Sequence, residues 1–161
     1  MESQTKDKLG QIERYIEFNL GTERYAITLL QVLEVISIPQ TTPVPNSPPY
    51  TLGVMNLRGK IISIIDARKK LNIPPLEKND EVAVIIINLG ETNIGIIVDS
   101  INRVLSVNES ELDNAVEIQG QINAKFIKGV YHSEEKLTFL INPYELFKKD
   151  LPSLSKLDEV A

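Results

Sequence analysis

At 161 residues the chain suits one globular domain, or two closely packed subdomains that share a core. Its 17 lysines and arginines stand against 22 acids, a net charge of −5 with no long basic tract, which argues against nucleic acid as a partner. Having no cysteine, it has no disulfides, no thiolate nucleophile and no thiolate metal site, and a reducing compartment is its easiest home. Residues 1–14 are too polar for a secretory signal, and the longest apolar run, Val82 to Ile87, is far too short to span a bilayer. A soluble, cytoplasmic chain without direct membrane insertion is expected.

Residues 1–10 carry little apolar periodicity and are expected to be flexible. Ile16, Phe18 and Leu20 then alternate with Tyr15, Glu17 and Asn19, and Gly21-Thr22-Glu23 turns the chain into Tyr25-Ala26-Ile27, a hairpin with one wet face. Thr28 and Gln31 have the spacing of a capping box, which predicts a brief helical turn over 29–33 before a strand over 34–38. Five of the nine prolines lie between Pro39 and Pro49 and predict an extended loop. Leu52 to Leu57 and Lys60 to Ile65 flank Arg58-Gly59, a tight turn that places a guanidinium at a hairpin tip. Asp66 suits the N-cap of a short helix over 67–71, and residues 72–80, with Pro74-Pro75 and mixed charges, form a bridge.

Val82 to Leu89 is apolar on both faces, as a strand covered on both sides would be, and is placed at a seam. Strands over 92–98 and 103–107 follow, and Asn108 to Asp113 reads as a capped helical turn, because a calcium loop would need glycine at its sixth position. Phe126 to Tyr131 and Lys136 to Ile141 form a hairpin around Ser133-Glu134-Glu135, and Asn142-Pro143-Tyr144-Glu145 has the residues of a helix start. The tail, residues 150–161, is expected to be flexible.

The order of these pieces repeats. Asn19-Leu20-Gly21 returns as Asn88-Leu89-Gly90 at an offset of 69 residues, and Gly53-Val54 with Lys60-Ile61 returns as Gly129-Val130 with Lys136-Leu137 at an offset of 76. Two copies of one β-rich unit predict paired small barrels, residues 11–79 and 80–149, with a groove where they meet. Chemistry finds few parts. There is no Gly-rich phosphate loop, and the single histidine, His132, sits beside an acidic turn and reads as an exposed turn residue before it reads as a metal ligand. With one histidine and no cysteine, a nucleophilic triad has almost nothing to draw on, although any two of the acids could converge as a carboxylate pair. Binding is expected before catalysis, with neither metal nor cofactor.

Val32-Leu33-Glu34-Val35-Ile36, Val44-Pro45-Asn46-Ser47-Pro48 and, above all, the run from Gly53 to Ile62 with Ile65-Asp66 and Arg68 resemble the bacterial chemotaxis coupling family CheW. The likeness spans Tyr15 to Phe147 and includes Asn88-Leu89-Gly90 and the run Gly95 to Asp99. Ser63 stands where the family often has proline, and Ala67 where it commonly has leucine. The resemblance implies a mainly β fold of two SH3-like five-stranded β-barrels with short capping helices, and a non-catalytic adaptor that joins the cytoplasmic tips of chemoreceptors to the regulatory domain of the histidine kinase CheA, in arrays on the inner face of the membrane. The receptor-facing positions it implies are Val32, Glu34, Gly53, Arg58 and Val104. Each also has a plain reading: core packing for the valines, solvation for Glu34 and Arg58, backbone geometry for Gly53. A CheW-like module of a longer coupling or kinase protein would look similar, and a nucleic-acid-binding small barrel is the rival from another class.

Overall fold

The computed structural model describes residues 11–74, 81–113 and 124–160. Eleven strands form two sheets among these residues. They are β1 (Ile12–Leu20), β2 (Glu23–Thr28), β3 (Val32–Ile36), β4 (Thr51–Leu57), β5 (Lys60–Asp66), β6 (Ala83–Asn88), β7 (Asn93–Val98), β8 (Ser100–Asn108), β9 (Leu112–Asp113), β10 (Ile127–Ser133) and β11 (Lys136–Ile141). One sheet has the order β8-β1-β2-β11-β10-β9 and the other β3-β6-β7-β5-β4. Both curl into small SH3-like barrels. β8 and β9, at opposite ends of the first sheet, are joined only by the helical turn Glu109–Glu111, so chain continuity closes that barrel. In the other, the chain beyond β3 returns at Thr42, which exchanges two backbone hydrogen bonds of 2.8 and 2.9 Å with Val54 of β4.

The expected division into barrels 11–79 and 80–149 does not hold. Each sheet takes strands from both halves: β1 and β2 pair with the second half's β8 and β11, while the second half's β6 and β7 pair with β3 and β5. The two junctions, β2 with β11 and β5 with β7, are parallel. Parallel neighbours cannot be joined by a hairpin, so each must come from elsewhere in the chain. The duplicated unit has in effect exchanged its first hairpin with its copy. The registers respect the repeat: Leu140 lies opposite Ala26, and Ile64 opposite Gly95, at the same two offsets.

The largest apolar cluster lies between the sheets, combining Phe18, Tyr25 and Phe139 with Ile65, Ile85 and Ile96. Each barrel adds a smaller cluster of its own, around Tyr15, Leu105 and Leu140 in one and Ile62, Val84 and Ile86 in the other. Strands near the seam are therefore covered twice, as expected for β6. It corrects the expectation for β1, where Tyr15 and Glu17 are buried rather than wet.

Local signals place most of the capping. Thr28 caps a 3-10 turn over Leu29–Gln31, Asp66 caps the helix Ala67–Lys70, and Asn142 caps the helix Pro143–Phe147. Residues 150–161, expected to be a flexible tail, instead carry the helix Leu151–Val160. Leu154 enters the central cluster with no exposure, Ser155 Oγ is 2.8 Å from Thr92 Oγ1, and Lys70 Nζ reaches Asp150 at 2.5 Å. One deeply seated leucine is too sparse a pattern to read as an amphipathic helix from sequence. The expected bridge over 72–80 and the amino terminus 1–10 lie largely outside the described residues.

Candidate functional site

The β4–β5 hairpin is closed by Arg58 and Gly59, both with positive φ (52° and 86°), the conformation of a two-residue turn matched to strand twist. Asn56 Oδ1 accepts a 2.9 Å hydrogen bond from Gly59 N and steadies the turn. Arg58 therefore stands at a defined tip, 76% exposed, and its guanidinium donates to the Glu34 carboxylate on β3, which is 23% exposed. The pair spans the two edge strands of the five-stranded sheet, β3 and β4, where β5 turns back.

Gly53 explains itself through the backbone. Its φ is 149°, and a Cβ there would lie 2.6 Å from the carbonyl oxygen of Thr42, the residue that closes the barrel. Val32, opposite Ile87 on β6, is half-buried against the central cluster. Val104 belongs to the other sheet, on edge strand β8 opposite Ile16, and is 53% exposed. Of the five expected site residues, the structure joins Glu34 to Arg58 directly and sets Gly53 and Val32 in the same sheet, with Val104 on the neighbouring one.

Two features escaped the sequence reading. Leu30, Leu33, Val35 and Ile38 are exposed along and around β3, Leu30 by 86%. The alternation Leu33/Val35 against Val32/Glu34/Ile36 was there to be read, but an edge strand leaves its outward apolar set unpartnered in a way that the pattern alone does not reveal. The second is Glu17, whose fully buried carboxylate accepts from Thr138 Oγ1 at 2.7 Å and from Arg103 Nε and Asn102 Nδ2 at 3.3 Å, with Arg24 3.6 Å away.

Elsewhere, a cleft of about 290 Å³ opens between β1, β8 and β10 beside Glu13, Tyr15 and Lys128. Glu13 accepts from Thr28 Oγ1 at 2.6 Å and from the Tyr15 hydroxyl and Lys128 Nζ at 2.9 Å. Burial pushes the Glu13 carboxyl up, but these hydrogen bonds outweigh it and hold its pKa below the usual 4.5. His132 pairs with Asp113 across β10 and β9.

The model of the CheW-like domain family matches residues 14–151. The chain belongs to the CheW family. A chemotaxis protein CheW of Bacillus subtilis is 36% identical over 138 residues, covering 86% of this chain and 88% of the relative, and one of Treponema pallidum is 31% identical over 147 residues, covering 88% and 86%. Among solved structures, the scaffolding protein TtCheW of Thermoanaerobacter tengcongensis superposes with a TM-score of 0.77 at 28% identity, covering 84% of this chain and 88% of the other. Membership of the CheW family makes the chain a chemotaxis scaffold, and the exposed Glu34–Arg58 tip and the apolar edge of β3 are surfaces such a scaffold can offer. No described helix is long and apolar enough to cross a membrane.

Proposed function

We propose that this scaffold couples the cytoplasmic tips of transmembrane chemoreceptors to the regulatory domain of the histidine kinase CheA, at arrays on the inner face of the membrane, and catalyses no reaction itself. The observation that carries this reading is the Glu34–Arg58 pair, set at a defined two-residue hairpin turn with Arg58 open to solvent, in a chain of the CheW family. An arginine fork can exchange an intramolecular carboxylate for a partner's carboxylate or for helix C-terminal carbonyls with little reorganisation. Exposed Val104 and the β3 edge supply apolar contact for a helical hairpin laid across the barrels, and Val32 supports that edge from beneath. Gly53 acts by letting Thr42 close the barrel that carries the tip. Weak individual interfaces gain strength when many are linked in an array.

The test is binding of the purified chain to a receptor-tip fragment and to the kinase regulatory domain, separately and together. Both should bind, and Arg58→Ala should weaken the receptor fragment while leaving the unfolding midpoint nearly unchanged. Absence of binding to either partner refutes the coupling role.

A further inference from the structure

The duplication supplies an internal control for the buried Glu17. By the offsets of 69 and 76, Glu17, Arg24, Arg103 and Thr138 of the six-stranded barrel correspond to Ile86, Asn93, Glu34 and Ile62 of the five-stranded one. The pairings agree, since Glu17 lies opposite Arg103 just as Ile86 lies opposite Glu34. In the five-stranded barrel the two interior positions are plain isoleucines within an apolar cluster. The fold therefore does not need a carboxylate there.

Nor does stability recommend it. Removing a carboxylate and most of the Arg24 side chain from water is costly, and an apolar replacement of similar volume is often neutral or stabilising. The network is also incomplete, because Arg24 Nε is buried without a hydrogen-bond partner. What the arrangement does achieve is orientation. Arg103 Nε is fixed to Glu17 at 3.3 Å and its NH2 group to Ser133 Oγ at 3.0 Å, while the side chain remains 40% exposed. Asn102 is held beside it by Glu17 and by Asn19, the latter at 2.8 and 2.9 Å. Val104, the next residue on β8, is also exposed but leaves the opposite face of the strand, the one it shares with Ile16.

We propose that Arg103 is a recognition residue for a partner segment that presents a carboxylate. Glu17 is its positioning residue, holding the fork in place from inside the barrel. This rests on the coupling role proposed above and gives the receptor tip a second charged anchor, on the opposite barrel from Arg58. A fork ordered before binding loses less freedom on contact than a free arginine would, which is the advantage that the buried carboxylate confers.

The experiment titrates a fluorescently labelled receptor-tip fragment into the full chain at low and physiological salt, with thermal unfolding of every variant alongside. Arg103→Ala should weaken binding about ten-fold and flatten its salt dependence, and Arg103→Lys should restore only part of the loss, because an ammonium lacks the planar fork. The triple variant Glu17→Ile, Arg24→Asn, Thr138→Ile copies the other barrel's own residues. It should keep or raise the unfolding temperature and still bind several-fold more weakly, a split that a purely structural role would not produce. If Arg103→Ala binds as the parent does while Arg58→Ala is weakened, this surface is not used and the coupling role survives. If the triple variant is stable and binds normally, Glu17 does not position Arg103. A parent that fails to bind the fragment removes the coupling role and this inference together.

Discussion

The two barrels solve one structural problem with opposite chemistry. At matched positions one interior is closed by Ile62 and Ile86, the other by Thr138 and the buried Glu17. Their hairpin tips differ as well: Arg58-Gly59 in one and Glu134-Glu135 in the other, the latter pair with φ of 50° and 65° and no glycine. The closing glycines differ too. At Gly53 a Cβ would strike the Thr42 backbone at 2.6 Å, while at Gly129 it would meet the Leu112 side chain at 3.3 Å. Duplication thus preserved hydrogen-bond register and strand order and left side chains free to diverge. Where they diverge toward charge or strain without a folding reason, function is the better explanation.

The largest expected effect separates the two glycines. Gly53→Ala forces a β-carbon onto a backbone atom at positive φ and should cost about 2–4 kcal/mol, against a smaller loss of about 1 kcal/mol for Gly129→Ala, where Leu112 need move by only a few tenths of an ångström. Urea midpoints of the two variants measure the difference, and equal losses would mean that the barrels close alike. Leu154→Ala comes next. It leaves a cavity in the cluster shared by both sheets and should cost about 2–4 kcal/mol, which would show that the C-terminal helix belongs to the cooperative unit; a loss within the noise of the midpoint would mean that the helix is an appendage. Glu135→Gly, which gives the acidic tip the glycine of the other, should stabilise by up to about 1 kcal/mol as the left-handed strain is relieved.

The smallest effect is in pH. Since the folded state holds the Glu13 pKa below 4.5, the stability it contributes is fully present above that value and is lost as pH falls through the lower, folded pKa. Glu13→Gln should therefore flatten the acid limb of a stability profile taken between neutral pH and pH 3, and an unchanged limb would show that the Thr28–Tyr15–Lys128 hydrogen bonds do not favour the ionised form.

Much of this architecture was legible in the residues. The Arg58-Gly59 turn, the Asp66 and Asn142 caps and the doubly covered β6 follow from local chemistry, and the repeat announced two related barrels. The exchange of first hairpins was not legible. Copies that resemble one another offer each β4–β5 or β10–β11 hairpin two near-equivalent partners, and alternation in a strand says which face is apolar but not whose strand lies alongside. The burial of Glu17 is hidden for a related reason: a polar set such as Tyr15, Glu17 and Asn19 at every second position looks like a wet face until the arginines that neutralise Glu17, 7 and 86 residues along the chain, are brought beside it. At the candidate site, Glu34 and Arg58 are named by the resemblance, and of the roles open to Glu34 (solvation, orienting Arg58 or meeting a partner's charge) the structure shows the contact with Arg58.

The central claim is that the Glu34–Arg58 tip faces a partner and does not merely brace the barrel. Exchanging the two residues, Glu34→Arg with Arg58→Glu, keeps an ion pair within the chain but reverses the charge offered outward. The affinity of the exchanged variant for the receptor-tip fragment, measured beside its unfolding temperature, is the direct test. Unchanged unfolding with binding weakened ten-fold or more is the predicted result; unchanged unfolding with parental affinity would contradict it.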